Sequence, residues 1–194
     1  MRKITGKQVK EFSEMFSTAI GFRIVEKSTL MWLLSKAARK VTERFSDELV
    51  KIDKALRPMA VYKFVFLTFK IGEDAVDYVE QILTIVHEAV HVIRIRKWCD
   101  DGGSVVSWYR SYFDPTKPMF RATEEAICIA AEEEIRRKLT GKVLSFPDLT
   151  KSYLIGKSDQ AAAEGVAKTL LEAKGPTSST VREAEIVLKR VGIL

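Results

Sequence analysis

The sequence predicts a mostly helical α+β domain in which a small sheet packs on one buried helix. Three observations lead to this class. Apolar residues recur at helical spacing along most of the chain. Residues 60–71 are rich in β-branched and aromatic side chains, which favours a strand. Residues 75–95 carry apolar side chains that point in nearly every direction around a helix, which is typical of a helix buried on all sides.

Length and composition indicate one globular domain and exclude several other classes. The chain has 194 residues, of which 46% are hydrophobic and 30% charged, unlike a disordered or fibrous protein. No segment contains the roughly 18 uncharged apolar residues that a membrane span needs, so we expect no membrane association. Cys99 and Cys128 are too few for a disulfide scaffold, so we expect a cytoplasmic location.

We expect this domain to contain three regions. Residues 1–58 form a basic helical layer, residues 60–141 form a core, and residues 142–194 add C-terminal helices. The basic charge is concentrated near the start, since residues 1–72 hold 15 Lys and Arg against 7 Asp and Glu. Such a region is typical of solubilising helix surfaces, and it also suits an acidic protein or a nucleic-acid partner.

The first half of the chain contains two predicted helices and two predicted strands. Val9, Phe12 and Phe16 lie at three- to four-residue spacing and predict a helix over residues 5–20. A brief strand is expected at 22–25. A long helix should follow from 28 to 56, and it ends before Pro58 because the residue before a proline avoids the helical region. The strand 60–71 follows.

The second half is predicted to be helical, with one long connection. Gly141 ends one of its helices. Turn signals, among them Asp114-Pro115, mark the connection. The predicted elements are the buried helix 75–95, the connection 99–118, a helix over 121–139, and helices near 158–173 and 178–191.

The chemically informative motif is the HExxH sequence from His87 to His91, which contains the only two histidines of the chain. Residues four apart on a helix lie on one face about 6 Å apart along the axis. Both imidazoles can therefore bind one zinc ion at about 2.0–2.1 Å. Glu88 is rotated by about 100° from His87, beside the metal, where it can accept a proton from the attacking water as a general base. The alternative is a pair of core histidines bonded to backbone carbonyls.

The third zinc ligand must be an acidic residue or a cysteine, because no third histidine exists. The predicted helix 121–139 offers Glu124 and Glu125 among small residues. The helical wheel favours Glu124, which lies near the centre of the apolar stripe. Cys99 or Cys128 is a further alternative, although a cysteine in an apolar run is more often buried filler.

At these residues the chain resembles the gluzincin-type zinc metallopeptidases, zincin-like proteins that include small single-domain members. The resemblance covers about residues 60–140. It implies that HExxH supplies two ligands and the base, and that a Glu on the next long helix supplies the third ligand. Glu125 fits this pattern best, with Arg121 one turn before it and Cys128 in the small position three residues after it. Several gluzincins have a supporting Asp four residues after the ligand, whereas this chain has Ile129 there.

The resemblance implies hydrolysis of a peptide or protein substrate, with His87, His91 and Glu125 as zinc ligands and Glu88 as the base. The 99–118 connection offers Tyr109, Arg110 and Tyr112 as candidate oxyanion-stabilising donors. The alternative is that such residues anchor the long connection by packing. The strand 60–71 is a candidate edge for binding an extended peptide.

The main alternative function is a non-catalytic zinc-binding structural or interaction module that contacts its partner through the basic N-terminal helices. A closed structural site normally has four protein ligands, commonly cysteines. The scarcity of His and Cys therefore favours an open, catalytic site. The run Glu132–Glu134, followed by three basic residues, is expected to be a solvated helix face.

Overall fold

The computed structural model shows a bundle of packed helices. The helices are α1 (Gly6–Ala19), α2 (Tyr78–Asp100), α3 (Val105–Phe113), α4 (Pro118–Thr140) and α5 (Thr177–Arg190). The residues that the structure describes are 4–20, 23–25, 64–66, 78–114, 116–144, 161, 163–166, 168–169 and 177–194. The predicted helix 28–56 and most of the predicted strand 60–71 lie outside these residues.

The predicted α+β class with a small sheet on the motif helix is wrong. The described chain is organised by helix-on-helix packing. It contains only two strands, β1 (Arg23–Val25) and β2 (Phe64–Phe66), which pair in parallel. Strands of globular sheets usually have five or six residues and several partners. Two three-residue segments therefore do not form a sheet layer. The two short strands do lie where strands were predicted, β1 within residues 22–25 and β2 within residues 60–71, but composition does not specify how many strands assemble into a sheet.

Helix α1 confirms the helix predicted over residues 5–20. Thr5 caps its first turn in a capping box with Gln8, in which each side chain bonds to the backbone N–H of the other. Val9, Phe12 and Phe16 are buried in a common core with α2, α4 and α5. The apolar face of α1 is thus an integral part of the core that supports the motif helix.

The expected long connection over residues 99–118 is wrong in part, because it contains α3. Ser104 caps this helix and forms a capping box with Ser107. Gly103 lies so close to the Trp98 indole that a Cβ there would approach it to 2.1 Å. The Trp98 Nε1–H donates to the Ser107 hydroxyl at 2.9 Å. The turn therefore packs α3 back onto the C-terminal end of α2, beside the HExxH motif.

Helix α4 confirms the helix predicted over residues 121–139 and lies antiparallel to α2. Pro118 occupies its first turn, and Gly141 ends it with a left-handed φ of 70°. Glu80, near the start of α2, forms an ion pair with Arg136, near the end of α4. At the opposite ends of the two helices, Arg94 of α2 forms an ion pair with Glu124 of α4. This arrangement brings the middle of α4 against the HExxH turn.

Helix α5 confirms the helix predicted near 178–191 and completes the core. Val181, Ala184 and Leu188 are buried against the other helices. Its Glu185 binds Lys138 of α4 at 2.9 Å. The predicted helix 158–173 is described only at helical residues between 161 and 169. None of the described helices has both the length and the hydropathy of a membrane span.

Candidate metal centre

The two histidines of the motif meet on one face of α2. Their Nε2 atoms are 3.1 Å apart, and the ring centroids are separated by 4.8 Å. His87 is buried, and His91 is slightly more accessible. The helical spacing of four residues produces this convergence, as expected for HExxH. Both side chains thus direct the same ring nitrogen toward one point between α2 and α4.

Glu125 completes a triangle of donor atoms with these histidines. Its Oε2 lies 3.3 Å from His87 Nε2, and its Oε1 lies 3.4 Å from His91 Nε2. Zinc–nitrogen and zinc–oxygen bonds of about 2.0–2.1 Å imply a separation of about 3.3 Å between ligands of a tetrahedral ion. The three separations are close to that value, with each histidine near a different oxygen of Glu125, so the carboxylate and the two imidazoles are near enough to share one zinc ion.

Glu124 lies on the same buried side of α4 but has a different partner. Both of its carboxylate oxygens accept hydrogen bonds from Arg94, from Nε and from Nη2, each at 2.6 Å. Such a bidentate pair gives both oxygens a charged donor and fixes the orientation of the carboxylate toward Arg94. The structure therefore brings Glu125, and not Glu124, to the two histidines. One position along a helix changes the direction of a side chain by about 100°.

Cys128 also lies near the histidines, one turn after Glu125. Ligand atoms of His87, His91 and Cys128 are all within 4.8 Å of one another, a looser set than the triangle made by Glu125. Burial and the nearby carboxylates raise the pKa of the Cys128 thiol well above its usual value. We favour Glu125 as the third ligand because its atoms are closer and its carboxylate is ionised. Cys99 lies in the last turn of α2 and is not part of this cluster.

Charge compensation at the site is strong even without a metal. Burial lowers the pKa of His87, but hydrogen bonds to Glu125 and Glu132 outweigh it and raise the pKa to about 10. For Glu125, burial raises the pKa, but the hydrogen bonds and charges of both histidines outweigh it and hold the pKa well below its usual value. A proton on His87 thus balances part of the carboxylate charge. A divalent cation would supply the same compensation in full.

Glu132 contacts the second ring nitrogen of His87, a role that was not predicted from the sequence. Its Oε1 forms a hydrogen bond with His87 Nδ1, and both side chains are buried. Metal-binding histidines commonly bond their second ring nitrogen to a carboxylate, which fixes the ring orientation. The expected solvated face is therefore wrong at Glu132 and Glu133, each of which is only 7% exposed. The available signal was spacing, because Glu132 lies seven residues after Glu125 and shares its face.

Replacing Glu132 by Gln is expected to weaken zinc binding by about 10–100-fold, the usual effect of losing such a partner. The amide keeps the size of the side chain but removes the charge that orients and polarises the imidazole. Competition titration against a zinc chelator measures the change. Glu134→Gln, on the same helix and partly exposed, is the matched control and should leave the affinity unchanged. Equal affinities for all three proteins would contradict the role of Glu132.

Helix α3 contributes Tyr112 to the site. The Tyr112 hydroxyl donates a hydrogen bond to Glu125 Oε1. Its ring stacks on Trp108, with centroids 4.9 Å apart, and meets His91 edge-on at 5.9 Å. Burial, together with the charge of Glu125, raises the pKa of Tyr112, so its hydroxyl remains a donor. Of the three candidates in the predicted connection, Arg110 is exposed, and the side chain of Tyr109 lies outside the described atoms.

Glu88 lies beside the triangle and is half-buried. Burial raises the pKa of its carboxyl, the charges of His87 and His91 lower it, and those of Glu125 and Glu132 raise it, with a net upward shift. A carboxylate with a raised pKa accepts and releases protons more readily near neutral pH than an ordinary one. The arrangement therefore places a carboxylate that can accept a proton beside a group of side chains that could hold a metal ion.

These features define a candidate zinc centre of the HExxH type on a helical scaffold. Comparisons of the chain with protein-family models, with curated proteins and with solved structures found no match.

Proposed function

We propose that this protein is a zinc-dependent metallopeptidase that hydrolyses peptide bonds in a peptide or protein substrate. The observation that carries the proposal is the triangle formed by His87, His91 and Glu125, with separations of 3.1–3.4 Å. Glu88 next to this triangle favours catalysis, because a purely structural zinc has no use for a base. The resemblance to gluzincins in the sequence supports the same assignment.

In this proposal, metal binding, ligand orientation and proton transfer are carried out by different residues of the chain. His87, His91 and Glu125 hold the metal, and Glu132 orients His87. When bound, zinc would polarise the scissile carbonyl and make water more acidic. Glu88 accepts the proton of the attacking water and passes it to the leaving amine. The first transfer protonates the Glu88 carboxylate and the second restores it, so Glu88 is unchanged after one turnover.

A cytoplasmic location is part of the proposal. Cys99 and Cys128 are both free thiols, which suits a reducing compartment. The buried Cys128 would be protected from disulfide exchange by its raised pKa as well as by its burial.

The second candidate function is a non-catalytic zinc module, and the position of Cys128 favours it. With Cys128 as a fourth ligand beside His87, His91 and Glu125, the site would be closed, as in structural zinc sites. The separation of up to 4.8 Å in the cysteine-containing set would have to shorten for the thiol to bind. Cobalt-substituted protein distinguishes the two functions, because a thiolate–cobalt bond produces charge-transfer absorption that Cys128→Ser would abolish.

Metal removal tests the proposed function directly. Zinc-loaded protein is expected to cleave members of a mixed peptide library, detected by mass spectrometry of the products. Chelation should abolish cleavage, and adding back one equivalent of zinc should restore it. Bound zinc without cleavage of any peptide or protein substrate would favour the second candidate, and absence of zinc binding would contradict both.

A further inference from the structure

The two oxygens of Glu125 have different surroundings. Oε1 accepts the hydrogen bond from the Tyr112 hydroxyl. Oε2 is buried and has no hydrogen bond of regular geometry to a described residue. It nevertheless lies only 3.3 Å from His87 Nε2, at the distance expected between two ligands of one ion. A buried carboxylate oxygen is costly unless a cation or a donor compensates it, which His87 does in part and a metal ion would do more fully.

We propose that Tyr112 fixes how Glu125 binds the metal, by holding Oε1 so that only Oε2 becomes a ligand. This inference rests on the proposed function and concerns the same site. A carboxylate can bind through one oxygen or through both. Tyr112 would favour binding through one oxygen. Two histidines and that oxygen would then leave one coordination position free for water. Tyr112 is then a positioning residue that acts through Glu125.

The surroundings of Tyr112 restrict its movement and so make it suitable for this role. Trp108 is buried and stacks on the Tyr112 ring at an interplanar angle of 18°. The Arg121 guanidinium lies over the ring, 5.4 Å from its centroid, a distance at which cation–π attraction operates. These contacts come from α3 and α4, so the hydroxyl is held by two helices. Helix α3, which lies in the predicted connection 99–118, therefore positions a metal ligand in this proposal.

The Tyr112→Phe variant tests the proposal, because it keeps the ring and its packing while removing the hydroxyl. Cobalt replaces zinc in the experiment, since the intensity of its visible absorption reports the coordination number. Parent and variant are both expected to bind one cobalt per chain. The variant should absorb more weakly, because Glu125 then binds through both oxygens. With zinc, kcat for a cleaved peptide should fall by about 10–100-fold with little change in KM.

Tyr78→Phe is the matched control, because Tyr78 lies at the start of α2, nine residues before the first histidine. Its spectrum and kinetics should equal those of the parent. Identical cobalt spectra for the parent and Tyr112→Phe would overturn the proposal, and so would loss of cobalt binding by Tyr112→Phe. If the parent itself binds no cobalt or zinc, the proposed function fails as well. The two failures are therefore distinguishable.

Discussion

The Glu88→Gln variant is expected to retain zinc and to lose peptidase activity by about 10²–10⁴-fold in kcat, the usual contribution of a general base. Gln has nearly the same shape as Glu, so the packing of α2 is preserved. It cannot accept the proton of the attacking water. KM should change little, because substrate binding does not need the charge of Glu88. Zinc content by elemental analysis and steady-state cleavage of a peptide from the library measure the two effects.

Glu80→Gln is the control for this variant. Glu80 lies on the same helix, has a side chain that is 51% exposed, and forms an ion pair with Arg136 of α4. The substituted amide can still accept a hydrogen bond from Arg136, so the contact between α2 and α4 is kept, and both zinc content and kcat should stay unchanged. If Glu88→Gln stayed active and chelation still abolished that activity, another residue would be the base. If Glu88→Gln lost its zinc, Glu88 would be needed to hold the metal.

The sequence predicted those parts of the fold that depend on local patterns. Helical spacing of large apolar residues located α1, and all-round hydrophobicity located the buried start of α2. The convergence of His87 and His91 follows from helix geometry alone. The small sheet was predicted wrongly because apolar, β-branched composition does not specify how many strands assemble. Helix α3 was missed because the Asp-Asp-Gly-Gly turn before it dominated the interpretation of residues 99–118.

The contacts of the supporting residues depend on how α2, α3 and α4 are packed, which local sequence patterns do not specify. The sequence offered an acidic run at Glu132–Glu134 with basic residues behind it, which is normally a solvated face. Only the antiparallel packing on α2 brings Glu132 to His87 Nδ1. Likewise, the sequence offered Tyr112 as a candidate oxyanion donor, but its hydrogen bond to Glu125 depends on α3 folding back onto α2. The choice between Glu124 and Glu125 needed the position of Arg94, thirty residues away in sequence.

The choice between these neighbouring carboxylates leads to a paired prediction. Glu125→Gln is expected to weaken zinc binding by more than about 100-fold, beyond the range for residues that only support a ligand. Glu124→Gln should bind one zinc with the affinity of the parent. It should instead lower the free energy of unfolding by about 1–3 kcal/mol, because the Arg94 guanidinium keeps its charge without a counterion. This value is below that for a fully buried pair, since 26% of the Arg94 side chain is exposed.

Chelator competition measures the zinc affinities, and urea unfolding of the zinc-free proteins measures the stability of each variant against the parent. The two variants change the same residue type at adjacent positions of α4, so each serves as the control for the other. The opposite pattern, with zinc lost from Glu124→Gln and kept by Glu125→Gln, would require α4 to turn by about 100° about its axis. Such a rotation would separate Glu132 from His87 and Tyr112 from Glu125. The two substitutions therefore test the ligand assignment together with the helix packing on which every other role in the site depends.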